Sequence, residues 1–152
     1  MAERVLVLGF ALTFYCLGTT YFEAFVNYRT WAQVGAREFP AYHQALTPLV
    51  VKVMLVPIAV YALCLVSLLV LQPASVPRAA IAGSLVLLSI AILSSVFIQI
   101  PIQRQLDEAG LSAPLLQRLI STDLALRKLP LGLNALLWLA MFWSRGVPAG
   151  AG

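Results

Sequence analysis

From Ala80 to Pro101 the chain reads AIAGSLVLLSIAILSSVFIQIP, without one charged side chain. An α-helix rises about 1.5 Å per residue, so a run of this length reaches across the roughly 30 Å hydrocarbon core of a bilayer. A transmembrane β-strand would alternate apolar and polar residues over about ten positions, and no such alternation is present. Three more runs behave alike, so the predicted spans are about 5–26, 49–71, 79–102 and 124–143. Pro48 stands at the start of the second span, and the turn-forming QPASVPR precedes the third. The composition agrees: 61% of residues are hydrophobic, 11% are charged, and the mean hydropathy is +0.92. Four spans nearly exhaust 152 residues. The expectation is one all-α domain over residues 1–152, an integral membrane four-helix bundle whose long first loop carries a short helix. The apolar segments continue to the C-terminus, which argues against a cleaved secretory leader, and the tail GVPAGAG reads as a disordered end.

Four antiparallel spans bring the end of the first, the start of the second, the end of the third and the start of the fourth to one side, here called the loop face. Glu23, Asn27, Tyr28, Trp31, Tyr42, His43, Lys52, Gln99, Gln103, Arg104, Asp123 and Arg127 all fall there, and Asn134 lies about two turns deeper. Arg29, Arg37, Lys52, Arg104, Arg118, Arg127 and Lys128 belong to this face, against Arg4, Arg78 and Arg145 on the other. Positive charge favours the cytoplasmic side, which places loops 27–48 and 103–123 there; the asymmetry shrinks if Arg104 and Arg127 serve a site instead. The net charge of +4 suits anionic headgroups, and no basic run is interleaved with aromatics in the manner of a nucleic-acid binder.

Thr20, Glu23, Asn27 and Trp31 follow one another at offsets of three, four and four, one stripe of a helix. A carboxylate facing lipid is expensive, so the stripe should face the bundle interior or a wet cavity. The plainer alternative is an interfacial Glu23 paired with Arg127 or Arg104. Gln99 and Gln103 bracket Pro101, and Asp123, Arg127 and Asn134 stand at spacings of four and seven. Asp123 one turn before Arg127 reads as a helical ion pair, in which case exchanging the two should restore part of what either alanine change loses; it also reads as a capping carboxylate beside basic anchors. Convergence favours a site, because four helices place carboxylate, amide, guanidinium or imidazole groups at one depth.

The segment NYRTWAQVGAREFPAYHQALTP carries the chain's single histidine, and Pro40 can begin a short helix at its first position. Histidine exchanges protons near neutrality, so His43 is the natural proton donor or acceptor if chemistry occurs; a solvated loop histidine is the alternative. One histidine rules out, within a single chain, the paired Glu-x-x-His motifs of di-iron bundles and the two-His facial triad. A single metal held by His43 with Glu23 or Asp123, or a haem with His43 as axial ligand, stays open, and the cofactor is unassigned. Cys16 and Cys64 stand isolated within spans and read as small core residues, and no phosphate loop or nucleophile elbow is present.

The order YFEAFVNY at the end of the first span, W and FPAYH in the long loop, IQIPIQRQL closing the third span and DLALR opening the fourth resembles the small four-span bacterial proteins grouped with the anthrone oxygenase-like family. The resemblance covers nearly the whole chain. It implies a bacterial inner-membrane enzyme that oxidises a lipophilic polycyclic phenol without an obvious organic cofactor. Residues and resemblance together suggest a pocket at the loop face. In it His43 or Glu23 removes a proton from a lipophilic substrate while Asn27, Gln99 and Arg127 stabilise the anion, with Asp123 paired to Arg127. Tyr28, Trp31, Tyr42, Gln99, Gln103, Arg104 and Asn134 are the expected substrate contacts. An isomerase would use the same parts. The rival class is a non-catalytic lipid-binding or transporter-associated bundle in which Glu23, Asp123 and Arg127 only lock helices together; a homo-oligomer stays open in either class.

Overall fold

The computed structural model describes residues 1–146; the tail beyond Gly146, expected to be a disordered end, lies outside the described residues. Four helices are long and apolar enough to cross a membrane: α1 (Ala2–Trp31), α2 (Phe39–Leu71), α3 (Arg78–Ala109) and α4 (Ala113–Ser144). Each packs on its chain neighbours and α1 closes the ring against α4, giving an up-down-up-down four-helix bundle. The helices run well past the predicted spans. Where loops 27–48 and 103–123 were expected, only residues 32–38 and 110–112 are irregular. A helix does begin with Pro40 in its first turn, but it continues without a break into the second span, and Pro48 lies inside it. The physical reason is burial. Phe39 and His43 on α2 and Ile102 and Leu106 on α3 face inward, so the extensions have an apolar side to pack and no cause to stop at the edge of the apolar run. Gly110 ends α3 at φ +83°, and a Cβ there would stand 2.6 Å from the Ala36 carbonyl oxygen, so glycine lets the two loop-face connections touch.

Every one of the four helices contains one π turn: Glu23–Asn27, Val51–Leu55, Ser95–Gln99 and Leu124–Lys128. In α2, α3 and α4 a proline follows two residues after the turn, in the tetrapeptides LVPI, QIPI and KLPL around Pro57, Pro101 and Pro130. Proline has no N–H and its ring collides with the carbonyl four residues back; widening the preceding turn relieves the collision. Two of the three carbonyls left without that N–H receive a hydroxyl from a neighbouring helix. Tyr15 donates to the Val53 oxygen at 3.1 Å, and Ser94 donates to the Leu126 oxygen at 3.1 Å.

The π turns mark a polar layer between two apolar ones. Toward the termini, Leu6, Tyr61, Leu65, Leu68, Ile81, Leu88 and Trp138 form the larger core, and Gly9 lets α1 approach Trp138 so closely that a Cβ would stand 2.8 Å from the ring. Toward the loop face, Tyr28, Trp31, Phe39, Ile102, Leu106 and Leu119 form a smaller core. Glu23, Gln99, Asp123, Arg127 and Lys128 are buried between them, while Phe22, Leu63, Val70, Phe97 and Leu136 face outward. This inside-out distribution is what lipid as solvent demands. The helix with the most buried charge, α4, is also the least apolar of the four and has the largest share of its apolar stretch buried inside the bundle.

Candidate functional site

A π turn changes which residues share a face. Where an α-helical stripe advances by three or four, the buried stripe here steps by five, from Glu23 to Tyr28, from Ser94 to Gln99 and from Asp123 to Lys128. Asn27, placed on one stripe with Glu23 by α-helical counting, is only half-buried; it lines with Glu23 a cavity between α1 and α2 and not the one that holds His43.

The charged layer is a chain of ion pairs. Arg127 donates to the Glu23 carboxylate at 3.2 Å and lies 3.0 Å from the Asp123 carboxylate one turn earlier on α4. Lys128 contacts the other Asp123 oxygen at 2.5 Å, and its ammonium sits 5.8 Å from the centre of the Tyr28 ring. Two carboxylates and two cations balance, so the layer joins α1 to α4 with no net charge.

Beyond this layer, beside the loop-face core, His43 Nδ1 lies 2.7 Å from Asp107 Oδ1, a contact between α2 and α3. The imidazole is boxed in: Trp31 meets it edge-on at 4.9 Å between ring centres, and Phe39 stacks on it at 5.4 Å with 17° between planes. A ring so held has one orientation, and with Nδ1 engaged by a carboxylate its free nitrogen is Nε2. His43 and Asp107 line a cavity of about 350 Å³ together with Glu23, Arg127, Trp31, Gln99, Gln103 and Arg104. Gln99 is 1% exposed and neither atom of its amide has a partner among the described residues; the Trp31 Nε1–H likewise has none. Arg104 is exposed and forms no ion pair among the described residues.

A second cavity of about 540 Å³ lies between α1 and α2, lined by Phe14, Tyr15, Gly18, Phe22, Asn27, Leu49 and Val53 among others. It shares Glu23, Leu46, Val50 and Met54 with the first.

Of the residues singled out in the sequence, Glu23, His43, Arg127, Trp31, Gln99, Gln103 and Arg104 therefore line one cavity. Asn27 lines its neighbour. Asp123 and Tyr28 are buried behind it, Asp123 holding Arg127 and Lys128. Tyr42 is exposed. Asn134 is in the larger core, where its Nδ2 donates to the Tyr61 hydroxyl at 2.9 Å beside the Trp138 Nε1–H at 2.7 Å, and it lines neither cavity. Asp107 was missed, although Gln99, Gln103 and Asp107 continue one stripe at intervals of four. Lys128 was read only as a surface charge, and α-helical spacing gives no sign that it joins Asp123. Among the described residues no three His, Cys, Asp or Glu side chains converge as a metal-binding group. Compared with family models, curated proteins and solved structures, the chain matches none.

Proposed function

We propose that this protein is a membrane enzyme that moves a proton on a small lipophilic substrate, with His43 as the acid-base group. The observation that carries the reading is the His43–Asp107 contact of 2.7 Å in the wall of the cavity, with the ring fixed by Trp31 and Phe39. Asp107 holds the proton on Nδ1, so Nε2 takes a proton from an acidic O–H or C–H of the substrate. The Gln99 amide and the Arg104 guanidinium stabilise the anion that forms; Arg127, already shared between Glu23 and Asp123, has less charge to offer. Returning the proton to a different atom completes an isomerisation with the groups present. An oxygenation would add dioxygen as co-substrate, and that reading rests on the resemblance to anthrone oxygenase-like proteins.

The helical segments beyond the π turns on the terminal side are 21, 16, 17 and 18 residues long. At about 1.5 Å per residue they rise about 24 to 32 Å, close to the thickness of the hydrocarbon core, which supports a charged layer near the membrane boundary with the loop face outside it. The balance of positive charge supports a cytoplasmic position for that face, and the bacterial inner membrane rests on the resemblance.

The test compares lipophilic extracts of cells expressing the wild type, His43→Ala and Asp107→Asn by untargeted mass spectrometry, with thermal melting of each purified protein. The expected result is a species that accumulates only with the wild type, while melting temperatures agree within a few degrees. Identical extracts would favour the non-catalytic reading, in which the neutral Glu23–Arg127–Asp123–Lys128 chain serves only to hold α1 against α4.

A further inference from the structure

We infer that the ligand of this site is a single-chain amphiphile, an uncharged hydroxyl head at Gln99 carrying one hydrocarbon tail that lies in the groove between α1 and α2. The inference names the substrate class for the proton-transfer reading, in which the head hydroxyl is enolic or phenolic and so acidic enough to give its proton to His43, and rests on that reading for the identity of the site. Three observations carry it. First, the two cavities adjoin, with Glu23, Leu46, Val50 and Met54 in the walls of both, so only these side chains, and no helix, stand between a head in one and a tail in the other. Second, the head end has orphaned hydrogen-bonding groups. The buried Gln99 amide offers a donor and an acceptor, and the Trp31 Nε1–H a further donor, a set that a hydroxyl satisfies by accepting one bond and donating another. The charged groups around that cavity are Glu23 and Asp107 against Arg104 and Arg127, a net charge of zero, and of the two cations Arg127 is paired with Glu23 while Arg104 is exposed to water, so a neutral head that ionises only in the reaction suits the site. Third, the groove has the shape of a tail. It extends along α1 from Asn27, near the charged layer, to Phe14, a rise of about 20 Å directed into the hydrocarbon. Phe14, Phe22, Leu49 and Val53 are apolar walls, and at Gly18 no atom lies within 4 Å of where a Cβ would stand.

The experiment uses the full chain in phosphatidylcholine nanodiscs and, as probe, 1-hexadecanol carrying a diazirine at mid-chain. After irradiation, adducts are mapped by peptide mass spectrometry. The expected result is labelling confined to residues 14–27 and 46–54, competed by unmodified 1-hexadecanol about ten-fold better than by hexadecane or hexadecanoic acid. Gln99→Leu should abolish the advantage of the alcohol over the alkane. Gly18→Leu adds a side chain to open space and should remove the labelling without unfolding the protein, so it decides the matter even if Gln99→Leu fails to fold. Labelling spread evenly over all four helices, or unaffected by Gly18→Leu, would overturn the inference and leave the groove to bulk lipid. Better competition by the acid would overturn the uncharged head. Labelling reads binding alone, so its absence would overturn this inference while leaving the proton-transfer reading to the comparison of cell extracts.

Discussion

Arg127 shows how one residue divides its role. Its guanidinium serves two carboxylates, Glu23 on α1 and Asp123 on α4, and Asp123 in turn serves Lys128. Exchanging Asp123 and Arg127, which a simple helical pair would tolerate, now sets a carboxylate beside Glu23 and a guanidinium beside Lys128, so no rescue is expected. The single changes should differ in size. Glu23→Gln keeps an acceptor for Arg127 and should lose under about 2 kcal/mol. Asp123→Asn removes the one carboxylate that Lys128 contacts among the described residues and leaves that buried ammonium uncompensated, while Arg127 keeps Glu23, and should lose about 3 to 5 kcal/mol. Melting in detergent gives the order, and a Glu23→Gln protein that melts below Asp123→Asn would show that the layer is held mainly by the α1 contact.

At the scale of the helix, proline and π turn work as a unit. Pro130 denies the Leu126 carbonyl an N–H, and the Ser94 hydroxyl, shared with the Ala91 carbonyl at 3.0 Å, supplies the missing donor from α3. Ser94→Ala should therefore destabilise by about 1 kcal/mol or less in the native protein. In a Pro130→Ala background the new N–H takes the carbonyl and the loss should fall toward zero. This double-mutant cycle reads the coupling directly, and additive losses would show that the hydroxyl does not serve that carbonyl. The π turn also brings Tyr28 and Lys128, five residues after Glu23 and Asp123, to the buried side, which α-helical spacing alone does not indicate.

For the molecule as a whole, the bundle puts connections 32–38 and 110–112 on one face and 72–77 on the other. Cysteines introduced at Gln33 and Ala113, both exposed, should react with an impermeant maleimide from the same side of a sealed membrane, and one at Ala74 from the opposite side. Cys16 and Cys64 are buried and give little background. Labelling of Gln33→Cys and Ala113→Cys from opposite sides would break the bundle topology and the site with it.

What the sequence determined by itself was the class of structure. Four apolar runs in a short chain leave no other solution, because in lipid every backbone group must find its partner within a helix or a closed barrel. It also marked Glu23, Gln99 and Arg127 as out of place in such runs, and His43 as the single histidine, in the long loop between the first two. Tertiary structure alone decided which of these groups meet. The Asp107 partner of His43 lies 64 positions away on another helix, and the Arg127 partner of Glu23 lies 104 positions away. Those pairings depend on how each helix is rotated about its axis. That rotation is set by packing between helices and by one extra residue in each π turn, neither of which a periodic reading of a single segment contains.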